Sequence, residues 1–290
     1  MQDINPVSTP LDTNIKLEPN SEGSVGDWSN LFAMLIRKLK YLATATRLDI
    51  AFAMNQLAVY TANPSLIHYT AVKWYLKGTI NIGLTYWDIP SSNFFYGYLD
   101  AAFTNADDYK LASGYVLLAG DAVITWGSQK QSTIALSSTE AEYVALSESL
   151  HEIMWLRHLY GELGYIQKEP TVLLGDNNGS IAMAQNPQFH KWSKHIAIRW
   201  HWVRDLVQDG LVNIQDCCDL NKTADILMKA LQWQKHVKHM KELGLSMVWG
   251  GVLDTSWLQV TAGSWSCHML WHKSQVINKG IFYASYETII

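Results

Sequence analysis

One stretch restricts the folds open to this chain more than any other. Ala135–Leu146 reads Ala-Leu-Ser-Ser-Thr-Glu-Ala-Glu-Tyr-Val-Ala-Leu. Three small hydroxyl residues, Ser137, Ser138 and Thr139, stand before a helix-friendly run, and any of them can cap the free backbone N–H groups of a first turn. Ser137-x-x-Glu140 also fits a capping box, in which the Glu side chain reaches back to a backbone N–H. The helix that follows carries Tyr143, Leu146, Leu150 and Ile153 on one face, so it must lie against something apolar. Two readings of Glu140 are open at this point: a cap, or a side chain that faces a neighbouring sheet and shares a metal site with carboxylates from elsewhere. Glu142, two residues on, points elsewhere and is set aside.

The surroundings of this helix read as a sheet. Phe94–Leu99 is an aromatic-rich strand that stops at Asp100. Gly114–Ala119 and Ala122–Trp126 are two β-like runs joined by Gly120-Asp121, and Gly in first place suits a tight hairpin of the II′ kind. After the helix, Thr171–Gly175 is a short apolar strand that stops at Asp176. Asn178–Ala184 and Ile196–Val207 read as helices, Leu211–Asp216 as a strand and Thr223–Leu231 as a last helix. The order β-β-β-α-β-α-α-β-α is an α/β chain with a mixed sheet, led by a hairpin and covered by helices.

Upstream, residues 1–30 form an extended lead in which Pro6, Pro10 and Pro19 deny a long helix. Residues 31–90 carry helical periodicity, with Leu31, Leu35, Leu39 and Leu42 on one face, a second run over Asp49–Tyr60, a third over His68–Gly78 and a short strand at Ile82–Tyr86. Residues 92–232 hold the sheet. Residues 246–290 are rich in Trp, poor in charge and assigned to nothing.

The totals agree with a folded chain: 290 residues, 48% hydrophobic and 17% charged, enough to bury a core. A formal net charge of −4 argues against a histone-like binder held by charge alone. It leaves room for an acidic site that carries its own cations. Cys217, Cys218 and Cys267 form no CxxC pair and no disulfide framework, and Met1–Pro10 has neither a basic start nor an apolar core. The expectation is an intracellular protein, cytoplasmic or nuclear, without a secretory leader or a membrane span.

Asp100 and Asp176 end strands, Glu140 starts a helix and Asp225 lies in the first turn of the last helix. Each position has an ordinary explanation, since Asp is common in turns and Asp or Glu at helix starts. Together, in this order of elements, they converge on one rim of the sheet, and four carboxylates there would bind hard divalent cations through oxygen. Two such ions can activate a water and stabilise a leaving oxygen in phosphodiester cleavage.

The residues also carry a resemblance. Gly97-Tyr98-Leu99-Asp100-Ala101, Ser113-Gly114-Tyr115, Ile124-Thr125-Trp126-Gly127-Ser128-Gln129-Lys130-Gln131, Ala135–Tyr143, Gly175-Asp176-Asn177-Asn178-Gly179-Ser180-Ile181, Lys194–His201 and Ala224-Asp225-Ile226-Leu227 resemble the ribonuclease H domain of copia-type LTR-retrotransposon Pol polyproteins. Thr9-Pro10-Leu11-Asp12, Arg47–Ala53 and Leu76-Lys77-Gly78-Thr79 resemble the end, or thumb, of the preceding reverse transcriptase. The polymerase's Tyr-x-Asp-Asp signature is absent, so no polymerisation is expected.

The resemblance implies a ribonuclease H-like fold. It also implies Asp100, Glu140, Asp176 and Asp225 as catalytic ligands of two Mg²⁺ or Mn²⁺ ions, with Asp100 bridging both. The implied reaction hydrolyses the RNA strand of an RNA–DNA hybrid, leaving a 3′-hydroxyl and a 5′-phosphate. Selectivity for RNA requires contacts to the 2′-hydroxyl, for which Ser138, Thr139, Asn177 and Asn178 are candidates. Lys194, His195 and Arg199 lie in the most basic and aromatic stretch and are candidates for the nucleic-acid backbone, although a helix packing His and Trp against the sheet explains them equally. Other parts of a polyprotein are implied partners.

Several positions depart from the family pattern. Ala102 and Phe103 stand where Asp and Trp are usual, Tyr109–Ala112 replaces a small polar run, and Met228-Lys229-Ala230 replaces Thr-Lys-Pro. None removes an expected ligand. The loop before Asp225 lacks the His that many cellular ribonucleases H place there, which points to altered product release. A zinc site from Cys217, Cys218, His236 and His239 is disfavoured, because adjacent cysteines lack the usual ligand spacing. Two rivals to an active nuclease remain: a binding module that keeps the fold without turnover, and a decayed transposon relic.

Overall fold

A computed structural model describes residues 7–13, 17–18, 20, 27–65, 67–68, 75–86, 95–103, 111–120, 122–132, 135, 137–185, 194–217, 222–247 and 280–281. The first helices are α1 (Asp27–Ala45) and α2 (Ala51–Ala58), joined through a 3-10 turn at Leu48–Ile50. Strand β1 (Ile82–Tyr86) follows. Most of the third helix expected over His68–Gly78 lies outside the described residues.

Five strands form the central sheet: β2 (Tyr96–Phe103), β3 (Leu111–Ala119), β4 (Ala122–Lys130), β5 (Thr171–Gly175) and β6 (Val212–Asp216), in the order β4-β3-β2-β5-β6. β2, β3 and β4 are antiparallel neighbours, whereas β5 runs parallel to both β2 and β6. The helices are α3 (Ser138–Glu162), α4 (Asn178–Gln185), α5 (Lys194–Gln208) and α6 (Trp233–Glu242). The fold is α/β and ribonuclease H-like, with the expected element order up to the last helix. There the expectation is corrected. Thr223–Leu227 is a short 3-10 turn, and the helix forms later, as α6.

β2, β3 and β4 run past their apolar runs. β2 does not stop at Asp100, because Asp100 pairs with Gly114 and the ladder continues to Phe103–Leu111. Gly120 turns the β3–β4 hairpin at φ 63°, a conformation that costs glycine nothing.

Alternation along β2 and β3 divides the core in two. Leu99, Ala101, Tyr115 and Leu117 face α3, α4 and α5. Tyr96, Tyr98, Ala102, Ala112, Val116 and Leu118 face the other way, onto Leu39, Leu42, Ile50, Met54 and Leu57 from the N-terminal helices and Ile226, Leu227 and Met240 from the C-terminal part. Residues 31–90 and 92–232 therefore share one core. Direct bonds reinforce it: the Trp126 indole N–H donates to the Ala43 carbonyl at 2.8 Å, and the Asn55 amide to the Ser128 carbonyl at 2.7 Å.

A second, small sheet ties the two ends of the fold together. β1 pairs antiparallel with β7 (Leu245–Met247) on one side and with β8 (Gly280–Ile281) on the other. Beneath it lies a buried ion pair. Arg47 donates to both carboxylate oxygens of Asp49, at 2.8 and 2.7 Å, and to the carbonyl and hydroxyl of Thr79. The Tyr75 hydroxyl donates to Asp49 at 2.7 Å and lies 3.0 Å from His236 Nε2 of α6. Burial pushes the Asp49 carboxyl upward, but the Arg47 guanidinium and the Tyr75 hydrogen bond outweigh it and hold the carboxyl below its ordinary range. The His236 ring joins this network, and His239 Nδ1 lies 2.8 Å from Glu242 Oε2.

Candidate active site

The start of α3 is capped as its sequence suggests. The Ser137 hydroxyl accepts the Glu140 N–H at 3.1 Å. That fixes the orientation of the first turn, and with it which carboxylate faces the sheet. At 3.6 residues per turn, Glu140 and Glu142 lie on different faces. Glu142 is the one that reaches β2: its Oε1 accepts the Ala101 N–H at 3.1 Å.

Asp100 and Asp176 meet through register. In the parallel pair β2–β5, Tyr98 stands opposite Leu174, so two residues further on Asp100 stands level with Asp176. In-register neighbours on parallel strands are about 4.8 Å apart and point to the same face. Carboxylate oxygens of Asp100, Glu142 and Asp176 lie within 4.8 Å of one another. Among the described residues, Glu142 and not Glu140 groups with Asp100 and Asp176. The signal was in the sequence. Glu142 precedes Ile153 by eleven residues, about three helical turns, so it extends the stripe of Leu146 and Ile153 that packs on the sheet.

Three oxygens of the cluster are buried and lack a hydrogen-bond partner: Asp100 Oδ2, Glu142 Oε2 and Asp176 Oδ1. Such groups are costly to bury. Burial, aided by the charges of Asp225 and Asp176, pushes the Asp100 carboxyl up from 3.8 to about 7, against the pull of Lys229. Burial and the charges of Asp100 and Asp176 push Glu142 from 4.5 to about 8, against its bond from Ala101. Three carboxylates this close together, each with a buried oxygen that no donor reaches, are a set that could hold a hard divalent cation.

Asp225 lies in the 3-10 turn on the same face of the sheet, buried, and its charge acts on Asp100. It is bound by two lysines, Lys229 at 2.7 Å and Lys235 at 3.3 Å. Lys222, from the loop that lacks the expected His, pairs with Asp176.

No family model matches the chain. It is 34% identical over 244 residues to a retrovirus-related Pol polyprotein from transposon TNT 1-94 of Nicotiana tabacum, a match covering 81% of this chain and 18% of that protein. It is 33% identical over 255 residues to the corresponding polyprotein of transposon RE2 of Arabidopsis thaliana, covering 86% and 17%. The chain belongs to the retrovirus-related Pol polyproteins of transposons. It spans less than a fifth of the length of these relatives. Among solved structures it is similar to RNase H1 from the halophilic archaeon Halobacterium salinarum, at 18% identity and a TM-score of 0.33, covering 50% of this chain and 98% of that one.

The remaining candidates of this Pol chain have distinct placements. Ser138 is exposed and Thr139 half-buried in the first turn of α3. Asn177 caps α4, its side-chain oxygen accepting the Ser180 N–H at 3.0 Å, and Asn178 is exposed. Arg199 is half-buried on α5, whereas the side chains of Lys194 and His195 lie outside the described residues. Sequence reasoning missed Glu142, Lys222 and Lys235. The lysines carry no positional signal, because their partners are distant or in loops. No helix among the described residues is long and apolar enough to cross a membrane.

Proposed function

We propose that this Pol chain is a metal-dependent ribonuclease H that hydrolyses the RNA strand of RNA–DNA hybrids. The observation that carries the reading is that carboxylate oxygens of Asp100, Glu142 and Asp176 lie within 4.8 Å of one another at the C-terminal end of β5, and that each of these side chains keeps a buried oxygen without a hydrogen-bond partner. Asp225 stands beside them. These residues would hold two Mg²⁺ or Mn²⁺ ions, which supply an activated water and stabilise the departing oxygen. The chain's own contribution is placement. β2 and β5 fix Asp100 and Asp176 by register, and the Ser137 cap with the Ala101 bond fixes Glu142. Ser138, Thr139, Asn177 and Asn178 lie at the adjoining helix starts and are assigned to the 2′-hydroxyl side of the hybrid, with Arg199 on its backbone. Family membership supports a role for the domain beside other parts of a polyprotein.

The test is cleavage of an end-labelled hybrid by the full chain with Mg²⁺ or Mn²⁺. Nicks confined to the RNA strand are expected. A folded protein that cleaves with neither ion ends the proposal.

One observation favours a second reading, a hybrid-binding module without turnover: Lys222, Lys229 and Lys235 already pair with Asp176 and Asp225. That module would bind hybrid with the same affinity with or without divalent ions and would cleave nothing.

A further inference from the structure

Among the described residues, three ammonium groups reach the four carboxylates of the site. Lys229 and Lys235 pair with Asp225, and their side chains are 46% and 50% exposed. Lys229 also acts on Asp100. Lys222 is placed differently. It pairs with Asp176, its side chain is 19% exposed, and its charge acts on both Asp100 and Glu142. Asp100, Glu142, Asp176 and Asp225 together, set against these three lysines, fall one positive charge short of neutrality when every carboxylate is ionised.

Lys222 joins two parts of the site through different atoms. Its carbonyl accepts the Asp225 N–H at 3.1 Å where the 3-10 turn begins, which fixes its backbone. Its ammonium donates to Asp176 Oδ2, while Asp176 Oδ1 stays buried without a partner. The two connections differ in kind. The backbone bond belongs to the turn, whereas the ion pair hangs on a flexible four-carbon stem and can open with no backbone movement. An ammonium is a single charge that pairs with one carboxylate here. A divalent ion would draw on several of the oxygens that lie within 4.8 Å of one another, and so has the advantage over it.

We propose that Lys222 is the tethered counter-ion of the metal-free site: it holds Asp176 in place, and a divalent cation binds by displacing its ammonium from Asp176. This rests on the reading of the carboxylates as a cation site and adds what stands there before the ion arrives. Lys222 is thus a positioning residue that sets the cation concentration the site requires. Once displaced, its ammonium stays near the site, because the backbone bond to Asp225 keeps the residue where it is.

The experiment follows Mn²⁺ binding and thermal melting of the full chain. Lys222→Gln should bind Mn²⁺ at least about fivefold tighter, the scale of removing one partly exposed ion pair that competes with the ion. It should melt below the parent in EDTA, and saturating Mn²⁺ should close that gap, because the parent has then lost the pair as well. Lys222→Arg keeps the charge but can grip a carboxylate with two parallel N–H groups, so it should bind Mn²⁺ at least about threefold more weakly than the parent. That variant carries the test if Lys222→Gln does not fold. Lys168→Gln removes the same charge in the loop entering the opposite end of β5, and its affinity should stay within about twofold of the parent. The displacement is overturned if Lys222→Gln binds Mn²⁺ no tighter than the parent, if its melting deficit persists in saturating Mn²⁺, or if Lys222→Arg matches the parent. Each of those results leaves the cation site and the nuclease reading standing. A folded parent that binds no Mn²⁺ ends both.

Discussion

The Glu142 side chain reaches across from α3 to the backbone of β2, where its Oε1 accepts the Ala101 N–H at 3.1 Å beside Asp100. One oxygen of Glu142 is thereby anchored, and the other is buried without a hydrogen-bond partner. On the proposed reading, the first holds the side chain in position and the second is left for a cation, which separates Glu142 from Glu140. Glu142→Gln should lower hybrid cleavage at least about a hundredfold, the scale of losing one well-placed electrostatic contributor. Glu140→Gln should stay within about threefold of the parent, since its backbone N–H still meets the Ser137 hydroxyl. Single-turnover rates decide; the opposite ranking would restore Glu140 to the site.

The metal-free protein should lose stability as pH rises. The folded-state pKa values of Asp100 and Glu142, about 7 and about 8, lie above the ordinary 3.8 and 4.5. Between those limits the folded chain binds more protons than the unfolded one, so stability is highest near the lower limit and declines through about pH 8. Thermal melting in EDTA should show a fall of several degrees between about pH 5 and about pH 8.5, and saturating Mg²⁺ should reverse most of it at the upper end. Glu142→Gln, which cannot ionise, should melt higher than the parent in EDTA at high pH. A flat profile would contradict the buried, donor-poor cluster.

The sheet should not survive without its N-terminal cover. A fragment of residues 92–232 exposes Ala112, Val116 and Leu118, which in the full chain pack with Leu42, Met54 and Leu57. It also loses the bonds from Asn55 to Ser128 and from Trp126 to Ala43. The fragment should lack a cooperative melting transition or aggregate. A fragment that melts with the full chain would show the shared core to be unimportant.

Arg47 is the pin of the N-terminal part. Arg47→Ala strands a buried Asp49 and should cost about 3–5 kcal/mol in urea unfolding. The double substitution Arg47→Met with Asp49→Leu removes both charges and should cost clearly less. Equal losses would mean that Asp49 is held by Tyr75 and His236 rather than by the guanidinium.

Much of this was legible in the residues. Aromatic and apolar runs located every strand of the central sheet, and the Ser137-Ser138-Thr139 run announced the start of α3. The bounds came out short where a polar residue interrupted an apolar run. Asp100 looked like a strand end, yet the β2–β3 ladder carries the strand through it. The choice between Glu140 and Glu142 was decided by helical phase relative to Leu146 and Ile153, a cue present in the sequence but weaker than the capping pattern. What occupies the second face of the sheet was not legible, since the apolar stripe of α1 shows that it is buried but not against what. The lysines on Asp176 and Asp225 were invisible too: Lys222 and Lys229 lie in irregular segments with no periodicity to aim them, and the period of α6 does not show which residue outside the helix Lys235 meets.

The central claim is that Asp100, Glu142 and Asp176 form a divalent-cation site, and the most direct measurement is Mn²⁺ binding to the full chain, followed by the paramagnetic signal of the free ion. Saturable binding is expected for the parent and for Glu140→Gln, and its loss or weakening by at least about tenfold for Glu142→Gln and Asp176→Asn. Undiminished binding by Glu142→Gln, or no binding by the folded parent, would contradict the account.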